Sequence, residues 1–390
     1  MGRHFGLFNN LQERFGSETK GSITDGADSG VRQFGAFFWL RLTQKYFRTT
    51  QYLTGFFIHM EEQVDQGQAC AFSPLHSTIM GPKRIIAVCG ATGTQGGSVV
   101  SHLQRDGTFA IRALTRKPSS PRAKELSDSG VEVVYADYDE IESLISAFKG
   151  CYGVFAVTNW FEAFERERDQ GYNLVRAAKV TNIEHFVLST GEHTAPLHCP
   201  QSETKADTND FLIASKLPRT SIYLTFYYSN VFFFDAIRKR TDGTFQMDIF
   251  FPTDSPIPSI SEFDVGGFVL AAFLDPAKWL GKDMRLCTEF ITPREYATIF
   301  EEVSGKPVHV KEMSLDDFME INNNPYPSEV WSIFRWFLDK KSTAAFSPKF
   351  AADVFPARQT WRHYAIQHLK PDPPSPTLVV KHEHKFIDNE

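Results

Sequence analysis

The stretch RIIAVCGATGTQGG, residues 84–97, decides how the chain is read. Ile85, Ile86, Ala87 and Val88 form a short, partly β-branched apolar run, as expected of a strand covered on both faces. Gly90, Gly93 and Gly96 follow at three-residue spacing. The first lets the chain turn sharply, the second lets backbone approach a pyrophosphate, and the third lets a helix pack closely on the strand. The helix then opens with N–H groups and a positive dipole end aimed at phosphate. The spacing predicts a dinucleotide turn. The plain alternative is a glycine-rich βα turn without a ligand, and the flanking strand and helix favour binding.

Outward from this motif, strands are expected at 109–115, 131–136, 152–157, 185–189 and 221–226. Helical patterns fill 95–105, 141–148, 166–180 and 203–214. Such alternation predicts an α/β fold: a doubly wound, Rossmann-type parallel sheet. Beyond residue 226 the alternation fades. An aromatic run covers 227–234, and 243–258 reads as hairpin or loop with Pro252, Pro256 and Pro258. Helices are expected at 264–274, 293–303 and 329–338. In the last, Val330, Trp331, Phe334, Phe337 and Leu338 recur at helical spacing, a core or interface stripe. The expected division is a dinucleotide-binding domain at 80–230 and a smaller mixed α+β C-terminal domain at 231–370, concerned with substrate or partner. Residues 371–390 read as a Pro-rich linker and tail. Residues 1–79 lack sustained period and read as a poorly ordered or dispensable extension, with Met80 a candidate start. Peptides from residues 1–60 of the natural protein, found by mass spectrometry, would remove that idea.

The net charge of −6 gives no basic surface for nucleic acid. The five cysteines, Cys70, Cys89, Cys151, Cys199 and Cys287, are scattered and without a CxxC pair. They read as small buried residues in a reducing compartment, and the expected location is cytoplasmic, with the nucleus also open. No apolar run is long enough to span a bilayer. His382 and His384 flank Glu383 in the tail, too few ligands to predict a metal site.

The second strand ends in Arg116-Lys117, where an NAD-binding fold usually places a carboxylate for the ribose 2′-hydroxyl. A guanidinium there suits a 2′-phosphate, so NADP(H) is expected over NAD(H). Asp137 and Tyr138 end the third strand, over the region expected to take adenine. A helix cap is the other reading of Asp137. Thr158, Asn159 and Trp160 follow the fourth strand at the carboxyl edge, where ligands bind in this architecture.

CGATGTQGGSV, LTRKP, AVTNWFE and FDVGGFVLAAFLDPAKWLGK together resemble the NmrA-like family of the atypical short-chain dehydrogenase/reductase superfamily, over residues 82–370. That family includes oxidoreductases of secondary metabolism and redox-sensing regulators. The resemblance implies NADP(H) contacts at Gly90, Ala91, Thr92, Gly93, Thr94, Gln95 and Gly96. It implies others at Arg116, Lys117, Pro118, Ser119 and Ser120, at Asp137 and Tyr138, and at Thr158, Asn159 and Trp160. Lys205, Tyr227, Tyr228, Ser229 and Asn230 complete the set. Asp169-Gln170-Gly171 departs from a lysine-bearing KQG pattern, with Arg168 a substitute cation.

Short-chain reductases carry a tyrosine acid four residues before the ribose-binding lysine, so that both share one helix face. Lys205 fits the lysine, and Gln201 stands where the tyrosine would be. Isoflavone-reductase-like relatives work without that tyrosine, and easy acceptors such as quinones need less proton assistance. Tyr227, Tyr228, His193 and His198 are candidate donors, and Ser189 a candidate orienting group. One expectation is an NADP-dependent oxidoreductase on a small planar or apolar substrate, with Lys205 catalytic. The other is a non-catalytic NADP(H) sensor acting through a protein partner. A homodimer is compatible with both. Direct contact with nucleic acid or membrane is not expected.

Overall fold

β1 (Ile85–Val88) lies inside a seven-stranded sheet, covered on both sides by neighbouring strands, as its apolar run predicts. The computed structural model of the chain describes residues 82–321 and 328–368. Thirteen strands follow one another: β1, β2 (Ala110–Thr115), β3 (Glu132–Tyr135), β4 (Gly153–Ala156), β5 (His185–Thr190), β6 (Arg219–Leu224), β7 (Phe226–Tyr227), β8 (Ile237–Lys239), β9 (Phe245–Met247), β10 (Ile257–Ile260), β11 (Lys282–Leu286), β12 (Glu289–Ile291) and β13 (Val308–Val310). The main sheet runs β11-β6-β5-β4-β1-β2-β3, all parallel. Strand order reverses between β1 and β4, which opens a crevice at their carboxyl ends. Two three-stranded sheets, β12-β10-β7 and β13-β9-β8, make up much of the rest.

The helices beside the sheet are α1 (Thr94–Asp106), α2 (Pro121–Asp128), α3 (Ile141–Phe148), the short α4 (Trp160–Ala163), α5 (Glu167–Val180) and α6 (Pro200–Ser215). After β7 come the single turn α7 (Asn230–Phe233) and α8 (Val265–Leu274). Side chains alternate across β1. Ile86 and Val88 join Val99, Val100 and Leu103 of α1 and Phe268, Val269 and Phe273 of α8. Ala87 and Cys89 face Leu144 and Phe148 of α3, Leu174 of α5 and Leu212 of α6. Gly153 in β4 is required by this packing, because a β-carbon there would lie 2.7 Å from Phe273 Cε1. A third core is rich in aromatics and includes Phe226, Phe251, Phe318, Trp331, Phe334 and Trp361.

Three details differ from the sequence expectation. The sixth strand stops at Leu224, and Phe226–Tyr227 pairs with β10 in another sheet. Thr225 lies at the change, its hydroxyl donating to Leu286 O at 3.1 Å. α2 was not in the expected set: its face is mostly polar, and it is started by Pro121 and by Ser120, whose Oγ accepts from Ala123 N. The stretch 231–370, read as a smaller domain packed on the first, sends α8 and β11 back to the main sheet, with β11 pairing along β6 from Lys282 to Leu286. Residues 1–79 with Cys70, Met80, the KPDPPSP stretch, His382 and His384 lie outside the described residues. Among the described residues no helix is long and apolar enough to cross a membrane.

Candidate active site

The glycine turn closes as its spacing requires. Gly90 has φ +61°, and Gly93 N–H donates to Gly90 O at 2.8 Å. A β-carbon on Gly96 would collide with the Gly90 carbonyl and lie 2.7 Å from Ala91 N, so only glycine lets α1 start this close to β1. No side chain caps α1, and Gln95 Oε1 is buried without a hydrogen-bond partner. The turn thus leaves the helix N-terminus open at the crevice, the arrangement that holds an anion.

Tyr138 braces the turn from beneath, hydrogen-bonded to the Cys89 thiol and the Gly90 backbone. Burial pushes the Cys89 thiol up to about 12 and the Tyr138 phenol well above its ordinary value. The Tyr138 hydroxyl thus bonds within the protein. Asp137 closes a local turn by accepting from Asp139 N at 3.0 Å, while Glu140 takes the cap position of α3.

At the end of β2, Arg116 Nη2 lies 2.6 Å from Glu162 Oε2, with the two side chains 56% and 47% exposed. Lys117, Pro118 and Ser119 are exposed, and Ser120 is occupied in capping α2. Glu162 sits on α4, whose cap is Asn159, its side chain accepting from Phe161 N at 3.2 Å. Trp160 makes edge contacts with Phe161 and Phe164.

The other end of the crevice is built around Lys205. Its Nζ donates to Thr158 O and Thr158 Oγ1, both at 3.2 Å, and forms an ion pair with Glu167. Glu167 is wholly buried, and its second oxygen accepts from Thr204 Oγ1. Thr190 Oγ1 donates to Lys205 O at 2.8 Å, tying the end of β5 to α6. A β-carbon on Gly90 would touch Val157 at 3.2 Å, so the glycine turn, Thr158 and Lys205 are neighbours in one arc. Sequence reasoning missed Glu167. A signal was present: Glu167 lies on the buried stripe of α5 with Gly171, Leu174, Val175 and Ala178, where a carboxylate needs a partner.

Several candidates lie elsewhere. Arg168 pairs with Asp207 of the facing helix at 2.6 Å. Gln170 donates to Asp139 instead, and Gly171 admits Thr208 of the facing helix. Tyr228 is fully buried among Tyr296, Trp361 and Tyr364, its hydroxyl donating to Glu289 Oε1 at 2.5 Å, which removes it from the ligand contacts. His193 is exposed and held by Glu203 at 2.7 Å and Asp210 at 3.1 Å, which raise its pKa. Tyr227 is half-buried, and burial drives its phenol far above the ordinary range, against service as an acid near neutrality. Ser189 is buried at the end of β5. Ser229 N reaches Glu262 Oε2 at 3.4 Å. Asn230 borders a closely packed aromatic cluster of Phe226, Phe234, Phe251 and Phe334 that leaves no room for a water molecule.

The model of the NmrA-like family matches residues 82–365. The NmrA-like family domain-containing oxidoreductase hkm9 of Aspergillus hancockii is 32% identical over 246 residues, covering 57% of this chain and 73% of that protein. The corresponding oxidoreductase FrzB of Cladobotryum sp is 26% identical over 325 residues, covering 76% and 96%. Among solved structures, NmrA, a negative transcriptional regulator in complex with NADP, superposes with TM-score 0.61 at 21% identity, covering 73% of this chain and 95% of that one. The Escherichia coli quinone oxidoreductase QOR2 complexed with NADPH gives TM-score 0.56 at 22% identity, covering 73% and 99%. These structures share the fold of the doubly wound sheet described above. The chain belongs to the NmrA-like family.

Proposed function

We propose that this chain binds NADP(H) across the carboxyl edge of β1, β2 and β4 and works as an oxidoreductase on a small planar or apolar molecule. The observation that carries the reading is Lys205, held by buried Glu167 and by Thr158 beside the glycine turn. The residues fit the cofactor: a β-carbon at Gly96 would close the turn, α1 is uncapped, and Arg116 offers a cation at the end of β2. In this reading the turn and the α1 N-terminus would hold the pyrophosphate, Arg116 the 2′-phosphate, and Lys205 the nicotinamide ribose. NADPH would supply a hydride to an electrophilic acceptor.

This chain's residues would orient that acceptor and exclude water. Gln201 has no proton to give, so acceptors that take a proton from water after reduction, such as quinones, suit the site better than simple ketones. The oxidoreductase names of the fungal relatives and the NADPH-bound quinone oxidoreductase support the reading.

A second reading, a non-catalytic NADP(H) sensor acting on a protein partner, is favoured by Gln201 at the acid's position and by the NADP complex of a transcriptional regulator of the same fold. Incubation with NADPH and a panel of quinones, enones and aldehydes separates the two. The expected result is turnover that falls about 10²-fold or more in Lys205→Ala while NADP binding persists. Tight NADP binding without turnover on any acceptor would establish the sensor instead.

A further inference from the structure

We infer that Glu162 is a specificity-determining residue: its carboxylate competes with the cofactor's 2′-phosphate for Arg116 and so limits the preference for NADP(H) over NAD(H). This rests on the reading of Arg116 as the phosphate cation. β4 and β2 are not neighbours; β1 lies between them. The pair therefore reaches from α4, just after β4, across the end of β1 to the end of β2. Two strand spacings amount to about 10 Å, so the ion pair straddles the edge of the crevice.

A guanidinium holds a phosphate best through two parallel N–H donors. Glu162 Oε2 occupies Nη2, one prong of that fork, at 2.6 Å. A 2′-phosphate must displace this carboxylate or share the cation with it at a few ångströms, where like charges repel. NAD(H), with a neutral 2′-hydroxyl, meets no such repulsion. Both side chains are about half exposed, so water and salt weaken the effect without removing it. α4 is short and Glu162 is exposed, so its replacement leaves the core alone.

The test is calorimetric titration of NADP⁺ and NAD⁺ into the full-length chain, as wild type, Glu162→Gln and Arg116→Gln, at low and high salt. The expected result is that Glu162→Gln tightens NADP⁺ binding by roughly 3- to 30-fold, changes NAD⁺ binding by less than about 2-fold, and does so most at low salt. Equal changes for the two cofactors, no change for either, or a selective loss of NAD⁺ would overturn the inference. Arg116→Gln serves as the separate control. If it leaves the NADP⁺ to NAD⁺ ratio as in wild type, the underlying reading of Arg116 fails. If it abolishes the preference while Glu162→Gln is silent, only the role of Glu162 fails.

Discussion

The two ends of the crevice each carry one cation and one carboxylate, yet in opposite surroundings. Arg116 and Glu162 stand about half in water. Lys205 is 22% exposed, and its partner Glu167 is not exposed at all. An exposed pair contributes little, because water screens it and two flexible side chains must be held still. A buried carboxylate has no such alternative: without its cation and its Thr204 hydrogen bond it would be an uncompensated charge. One end is therefore exchangeable and suited to admitting a ligand's charge. The other is fixed, and holds a side chain in place whether or not a ligand is there.

Breaking the fixed end gives the largest expected effect. Lys205→Met leaves the wholly buried Glu167 without its counter-charge and should cost about 3–5 kcal/mol of unfolding free energy in urea denaturation. A cost below about 1 kcal/mol would mean that burial does not distinguish the two pairs. Asp264 sharpens the comparison, being a buried carboxylate held by a backbone N–H from Gln359 and not by an ion pair of the Lys205–Glu167 kind. Burial pushes it from 3.8 up to about 7, against the Gln359 N–H and Arg358 and with Glu262 adding to the rise. Its native pKa is raised, so the protonated form is favoured by folding. That stability is fully present below about pH 4 and is lost as pH rises through about 7. Wild type should lose roughly 2–4 kcal/mol over this window from this group, and Asp264→Asn should flatten the profile. A parallel profile for the variant would remove Asp264 as the cause. The smallest effect belongs to the exchangeable end: Glu162→Gln should change unfolding free energy by less than about 0.5 kcal/mol, read by the same denaturation series.

What could be read beforehand follows the range of the interactions. The glycine turn is a local matter of three residues within one βα unit, so its spacing announced both the turn and the sheet. Lys205 was marked by the family resemblance, which also showed Gln201 at the place of the tyrosine four residues before it. Glu167 was not, because its partner lies 38 residues further along and the pairing exists only once α5 and α6 pack. The Arg168–Asp207 pair was hidden for the same reason, since Asp207 comes from the facing helix. β11 escaped notice because an edge strand reading KDMRL carries charges on its open side and lacks the apolar run of a central strand. Tyr228 looked like a site residue in an aromatic run. Only the packing of Trp361 and Tyr364, from far along the chain, shows it enclosed.

Ser98 on α1 donates to Phe263 O at 2.7 Å and accepts from Gly266 N at 2.9 Å, contacts that span 165 and 168 residues. Gly266 permits them, since a β-carbon there would strike the Ser98 carbonyl. The consequence concerns biosynthesis. As the chain leaves the ribosome, the helix that opens at the glycine turn emerges first and stays uncovered until α8 follows. At about 5–20 residues per second, Val99, Val100 and Leu103 wait roughly ten to thirty seconds for their cover. A nascent segment left open for that interval is thus one that later frames the crevice.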